Sequence, residues 1–263
     1  MEPPPRGTIE RWAHEYVLAT SLSHKLAPPA PPSAFEERAT PRRLLAPGRP
    51  PELRVEKRRV RTPGADALRD ARKGAELPHT FLHHELQAAE LACWGILAFP
   101  EREPEMRRGL LRIALDEVRH ANLYARHIEA LGSHVGAFPV RDWFWERVPS
   151  ARDATQLVAL LGVGLEGANL DHTRRFADRF REAGDEEGAR LQEVIGDEEV
   201  PHVRSAARWL ERWTGALDFD AWRALLPPPL TPLVLRGRPL DRARRRRAGL
   251  PDAFVDALDA WEP

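Results

Sequence analysis

Two copies of one spacing constrain this chain more than anything else in it. Asp116-Glu117-Val118-Arg119-His120 and Glu198-Glu199-Val200-Pro201-His202 each hold a Glu-x-x-His inside a run with helical apolar periodicity. On a helix, positions i and i+3 share a face, so each pair presents a carboxylate and an imidazole side by side. The short motif is weakly specific in a chain with 40 acidic residues and 10 His. A third match, Glu76-Leu77-Pro78-His79, lies at a helix start and has Leu44 where an upstream acid would belong, so it is read as chance. Upstream acids give the other two their weight. Glu85 precedes Glu117 by 32 positions and Glu166 precedes Glu199 by 33, each in a helical segment of its own. One Glu from each of two helices and a Glu-x-x-His from each of two more is a ligand set for two iron or manganese ions in a helical bundle.

The rest of the chain fits around four such helices. The apolar pattern predicts helices over 78–98, 103–131, 154–183 and 186–214, with Pro78 in a first turn and Gly132, Gly184 and Gly215 at or beyond helix ends. The expected fold is all-α, a four-helix bundle over 78–214. Its one long crossover, 132–153, carries Trp143-Phe144-Trp145 between the second and third helices. Before it, 1–77 reads as one helix over 8–26, with Thr8 as its N-cap, followed by a Pro/Arg-rich stretch. That stretch is either a linker or an arm wrapped on the bundle, and the arm is the favoured reading. After it, 215–263 is a Pro-rich appendage with an Arg242-Ala243-Arg244-Arg245-Arg246-Arg247 run and a short amphipathic tail.

A bundle core tolerates little charge, so four Glu and two His on inward faces need compensation. Two divalent metals supply it. Glu85, Glu117 and His120 are assigned mainly to one ion and Glu166, Glu199 and His202 to the other, with Glu117 and Glu199 as bridges. A set of carboxylates and imidazoles without thiolate suits iron or manganese better than copper(I) or structural zinc. Glu198 is the alternative to Glu199, because Pro201 frees the carbonyl of Asp197 and disturbs the helix there. Glu90 and Asp171 each lie five positions after the first acid of their helix, a rotation of about 140°. They are either acceptors for ring N–H groups of the ligating histidines or surface acids. Tyr124, one turn after His120, is a core residue or an approach to the metals. His83 and His84 flank Glu85, and at most one of them faces the core.

At these residues the chain resembles the ferritin-like superfamily. It is more closely similar to an uncharacterised bacterial family of ferritin-like proteins, a domain-of-unknown-function family. The stretches that carry this are His84-Glu85-Leu86-Gln87-Ala88-Ala89-Glu90-Leu91, Asp116-Glu117-Val118-Arg119-His120, Leu165-Glu166-Gly167-Ala168-Asn169-Leu170-Asp171 and 197–203, with Lys25-Leu26-Ala27-Pro28-Pro29 and Ala248-Gly249-Leu250 at the flanks. That family is similar in turn to the tRNA-modifying di-iron hydroxylases. The resemblance implies a non-haem di-iron centre and names no substrate. Gly167-Ala168-Asn169 stands where an Ala-Arg-Gly type run is expected, and Pro201 interrupts the last motif; both bear on local helix geometry.

The expected function is therefore a di-iron, or mixed manganese/iron, oxidoreductase using O2 or peroxide. A non-catalytic iron-binding protein and a metal-free interaction module are the alternatives. A net charge of zero argues against long-range capture of nucleic acid or acidic membrane. The basic run at 242–247 reads as a solvated or salt-bridged tail in preference to an RNA contact. The expected substrate is a small molecule or an RNA, and a homodimer is compatible with the sequence. Cys93, the single cysteine, excludes an internal disulfide and reads as a small buried hydrophobe. No apolar run reaches membrane-spanning length and no leader pattern opens the chain, so a soluble cytoplasmic protein is expected.

Overall fold

A computed structural model describes residues 2–56, 65–70 and 73–263. Among these residues the chain is all-α, with two isolated bridges (Thr8 with Ala34, Val55 with Val140) and no strand. It divides into two compact units, 1–149 and 150–263.

The first unit contains α1 (Ile9–Leu18), α2 (Leu22–Leu26), α3 (Ala65–Leu68), α4 (Glu76–Ala98) and α5 (Pro104–Ala130). Thr8 caps α1, its hydroxyl accepting the Arg11 N–H. The single helix expected over 8–26 is broken, because Ala19 turns extended and the Ser21 hydroxyl caps a new helix at the His24 N–H. α4 and α5 form a helical hairpin, and α1 packs on α4. α4 is buried on nearly every side, including Cys93.

The Pro-rich segment resolves as an arm over 27–56. Its backbone bonds to α1 and α4 through Ala34 O to Ile9 N, Leu97 O to Arg42 N and Leu44 O to the Trp94 indole. The arm expected over 57–64 and 71–72 lies outside the described residues. The connection after α5 also packs on α4. Gln87 accepts the Phe144 N–H and donates to the Arg141 carbonyl.

The second unit contains α6 (Ala154–Leu157), a π-helical segment Val158–Glu166, α7 (Gly167–Ala183), α8 (Glu186–Thr214), α9 (Phe219–Ala224), α10 (Arg242–Arg247) and α11 (Asp252–Ala260). α7 and α8 form the second hairpin, turned by Gly184 at φ 87°. The continuous α-helix expected over 154–183 is instead widened for nine residues. Gly162 makes close packing possible there: a Cβ on it would sit 2.3 Å from that of Ala206 on α8. With the wider turn, Leu165 is half-buried while Glu166 is buried. The basic run is α10 and is salt-bridged throughout. Arg242 meets Asp256 and Asp259, Arg244 and Arg247 meet Asp197, Arg245 meets Asp171 and Arg246 meets Asp252.

Candidate metal centre

Each unit assembles one of the two sequence triads. In the first, Glu85 comes from the middle of α4, while Glu117 and His120 come from one face of α5. All three are buried. His120 Nδ1 lies 3.2 Å from Glu117 Oε2 and 3.8 Å from Glu85 Oε2. One donor atom from each of the three falls within 4.8 Å of the others. Burial, with the Glu117 carboxylate beside it, holds the Glu85 carboxyl well above the usual range. This is the electrostatics of two carboxylates crowded together with too little positive charge.

In the second unit Glu166 ends the π-helical segment, and Glu199 and His202 come from α8. His202 Nδ1 lies 3.0 Å from Glu199 Oε2, and one donor atom from each of the three again falls within 4.8 Å of the others. Both imidazoles therefore turn Nδ1 toward carboxylates. Glu199, fully buried, is the inward acid, and Glu198 is only half-buried. α8 continues through Pro201. The other oxygen of Glu199 accepts from Asn169 Nδ2 at 3.0 Å. Asn169 was not singled out as a site residue from sequence, although it lies in the run that departs from the expected pattern.

The two acids five positions downstream are buried, but neither accepts from a ligating histidine. Glu90 accepts from Lys25 Nζ at 2.7 Å, from both Arg49 terminal nitrogens at 2.6 and 2.9 Å, and from the Trp145 indole at 2.7 Å. Burial alone would raise its carboxyl; Arg49 and Lys25 outweigh that and lower it. Asp171 accepts from Arg245 Nε and Nη2 and from the backbone N–H groups of Gly237 and Asp241. The expected roles as histidine acceptors or surface acids are thus replaced by anchoring of the flanking segments, because each acid meets a guanidinium from an appendage.

Tyr124 is buried on α5, its ring 5.6 Å from that of Phe81. Of the two histidines beside Glu85, His83 is buried and hydrogen-bonded to Asp142 at 2.9 Å, while His84 stacks on Phe144. Burial alone would raise the Asp142 carboxyl; hydrogen bonds from His83 and Arg49 outweigh it and bring it down to about 2.

The two triads offer carboxylate oxygen and imidazole nitrogen and no thiolate, so buried Glu/His groups that could hold a metal ion are present in both units. No helix among the described residues is long and apolar enough to cross a membrane. The family model described as "Protein of unknown function (DUF455)" matches residues 7–256. An "Uncharacterized protein" of Haemophilus influenzae is 26% identical over 153 residues, covering 55% of this chain and 53% of the relative. The match thus spans about half of that protein's length. No solved structure matches the chain.

Proposed function

The chain belongs to this family of proteins of unknown function, and we propose that it is a non-haem di-iron, or mixed manganese/iron, oxidoreductase that uses O2 or peroxide to oxidise an organic substrate. One observation carries this reading: each unit buries two glutamates and a histidine, with the imidazole Nδ1 turned to the carboxylates. In this reading Glu85, Glu117 and His120 serve one ion and Glu166, Glu199 and His202 the other.

When bound, a redox-active metal pair supplies the electron transfers that O2 and peroxide chemistry require. The chain's own residues do the rest. The four carboxylates neutralise cationic charge in surroundings where a lone charge would be costly. His120 and His202 each present one ring nitrogen in a fixed direction. Asn169 holds one oxygen of Glu199, leaving the other directed to His202. Apolar residues of α4 and of the π-helical segment limit access of water, so that carboxylates are not solvated in place of a ligand. The Glu85 carboxyl, held well above the usual range by burial and by Glu117, would give up its proton to serve as a ligand.

The test is metal content after anaerobic Fe(II) loading, with Glu117→Ala and His202→Ala alongside the wild type. The expected result is about two ions per chain, by the donor count of such sites, with loss in both variants at unchanged helicity. Oxygen consumption against a panel of organic substrates then reads the reaction. Wild type that takes up no metal, with both variants equally folded, would overturn the proposal.

A further inference from the structure

The face of α7 that carries His172, Arg175 and Arg179 holds positive charge without an opposing acid. Arg175 and Arg179 are one turn apart, both half-buried, and both guanidinium carbons lie over the ring of Phe176, at 4.9 and 5.4 Å. No salt bridge to either is formed among the described residues. Other half-buried or buried arginines of the chain do have partners: Arg42 meets Glu36, Arg49 meets Glu90, Arg107 meets Glu10, and Arg245 meets Asp171. Arg175 Nε is closed to water and has no acceptor. Burial, with Arg179 nearby, lowers the Arg175 pKa, the direction expected of an uncompensated cation. Asp171 is the nearby acid, and its oxygens are taken by Arg245 and two backbone N–H groups.

His172 completes the cluster. Its Nδ1 lies 3.3 Å from Arg175 Nη2, and a guanidinium can only donate, so Nδ1 accepts and the ring proton sits on Nε2. The face therefore offers two guanidinium groups and an imidazole N–H, with two positive charges. Planar guanidinium forks suit the oxygens of phosphate groups.

We infer that His172, Arg175 and Arg179 form a binding site for a doubly charged tetrahedral oxyanion, phosphate either free or as a phosphomonoester. A monoanion leaves one guanidinium uncompensated, so the site selects the dianion over chloride or acetate. The site lies on a different part of α7 from the Glu166 end and does not depend on the metal proposal.

The test is calorimetric titration of the full chain, in a phosphate-free buffer at pH 7.5, with inorganic phosphate and separately with glycerol 3-phosphate, against acetate as control. Saturable binding at one site per chain, at least tenfold weaker in Arg175→Gln and in Arg179→Gln but unchanged in Arg174→Gln, is the expected result. Tighter binding of the ester identifies an esterified ligand; equal or weaker binding identifies free phosphate. Circular dichroism and thermal unfolding establish that the variants fold. No saturable binding of either anion, or binding equally strong in folded Arg175→Gln and Arg179→Gln, overturns the site and leaves the two side chains as a cover for Phe176.

Discussion

Arg245 donates from Nε and Nη2 to the two carboxylate oxygens of Asp171, at 3.0 and 2.6 Å, and both side chains are fully buried. The contact ties α10 to α7, and Asp171 also receives the backbone N–H groups of Gly237 and Asp241. One carboxylate thus fixes the chain on both sides of Pro239. Removing one partner of such a pair leaves the other charged and buried, which costs about 3–5 kcal/mol. Arg245→Met is expected to destabilise the chain by that order in urea unfolding. Arg245→Met/Asp171→Asn should recover a large part of the loss, because no uncompensated charge remains. If the double variant is no more stable than the single one, backbone anchoring by the carboxylate outweighs the ion pair.

Asn169 acts on the second triad through Glu199, to which it donates at 3.0 Å. Supporting hydrogen bonds to a metal ligand are worth about 10- to 100-fold in affinity. Asn169→Leu is expected to weaken Fe(II) binding by that factor in competition with a chelator, while Asn169→Gln partly restores it. Number of ions bound at saturating metal should be unchanged. Unaltered affinity in Asn169→Leu would show that Glu199 is held by the helix alone.

Helix positions and the inward faces of Glu117, His120, Glu199 and His202 were legible in the sequence, because apolar residues and ligands share one period. Glu90 and Asp171 were not. Their spacing removes them from the triad face, but nothing local shows that Arg49, 41 positions earlier, and Arg245, 74 positions later, reach them. Long-range pairing of charges leaves no periodic trace. For the same reason the sequence leaves the basic run open between a solvated and a salt-bridged tail, and the structure decides for the second by bringing Asp171, Asp197, Asp252, Asp256 and Asp259 beside its arginines. The π-helical segment was missed because 158–165 is apolar on all sides, so its period is hidden; Gly162 and Gly164 were its local signal.

That segment makes Gly162 a sensitive position. A Cβ there would lie 2.3 Å from the Cβ of Ala206, closer than two carbons can approach. Gly162→Ala must push α8 away or rewind the segment. The overpacking cost is about 1–3 kcal/mol, measured by urea unfolding. Because Glu166 ends the same segment, metal affinity should fall together with stability. Gly162→Ala/Ala206→Gly, which returns the space, is expected to restore both. A double variant as poor as the single one would locate the need for glycine in the backbone, independent of Ala206.

His79, on α4 six positions before Glu85, gives the chain a pH-dependent weakness. It is fully buried, and its Nε2 accepts the Gly136 N–H at 2.8 Å, which only the unprotonated nitrogen can do. Burial lowers its pKa from 6.5 to about 4. The unfolded chain therefore takes up the proton first as pH falls. This contribution to stability is fully present above pH 6.5 and is lost progressively between pH 6.5 and 4. At pH 5 the expected loss from this group is about 2 kcal/mol relative to neutral pH. Burial brings His172 down to about 4 as well, adding loss in the same window. Asp142, held at about 2, acts in the lower range, as pH falls from 3.8 toward 2. His79→Gln keeps an acceptor for Gly136 and removes the titration. Urea unfolding at pH 7.5 and 5.0 should show a smaller difference for this variant than for wild type, by about 2 kcal/mol. Equal differences in the two proteins would mean that His79 takes up its proton in the folded chain without losing its place.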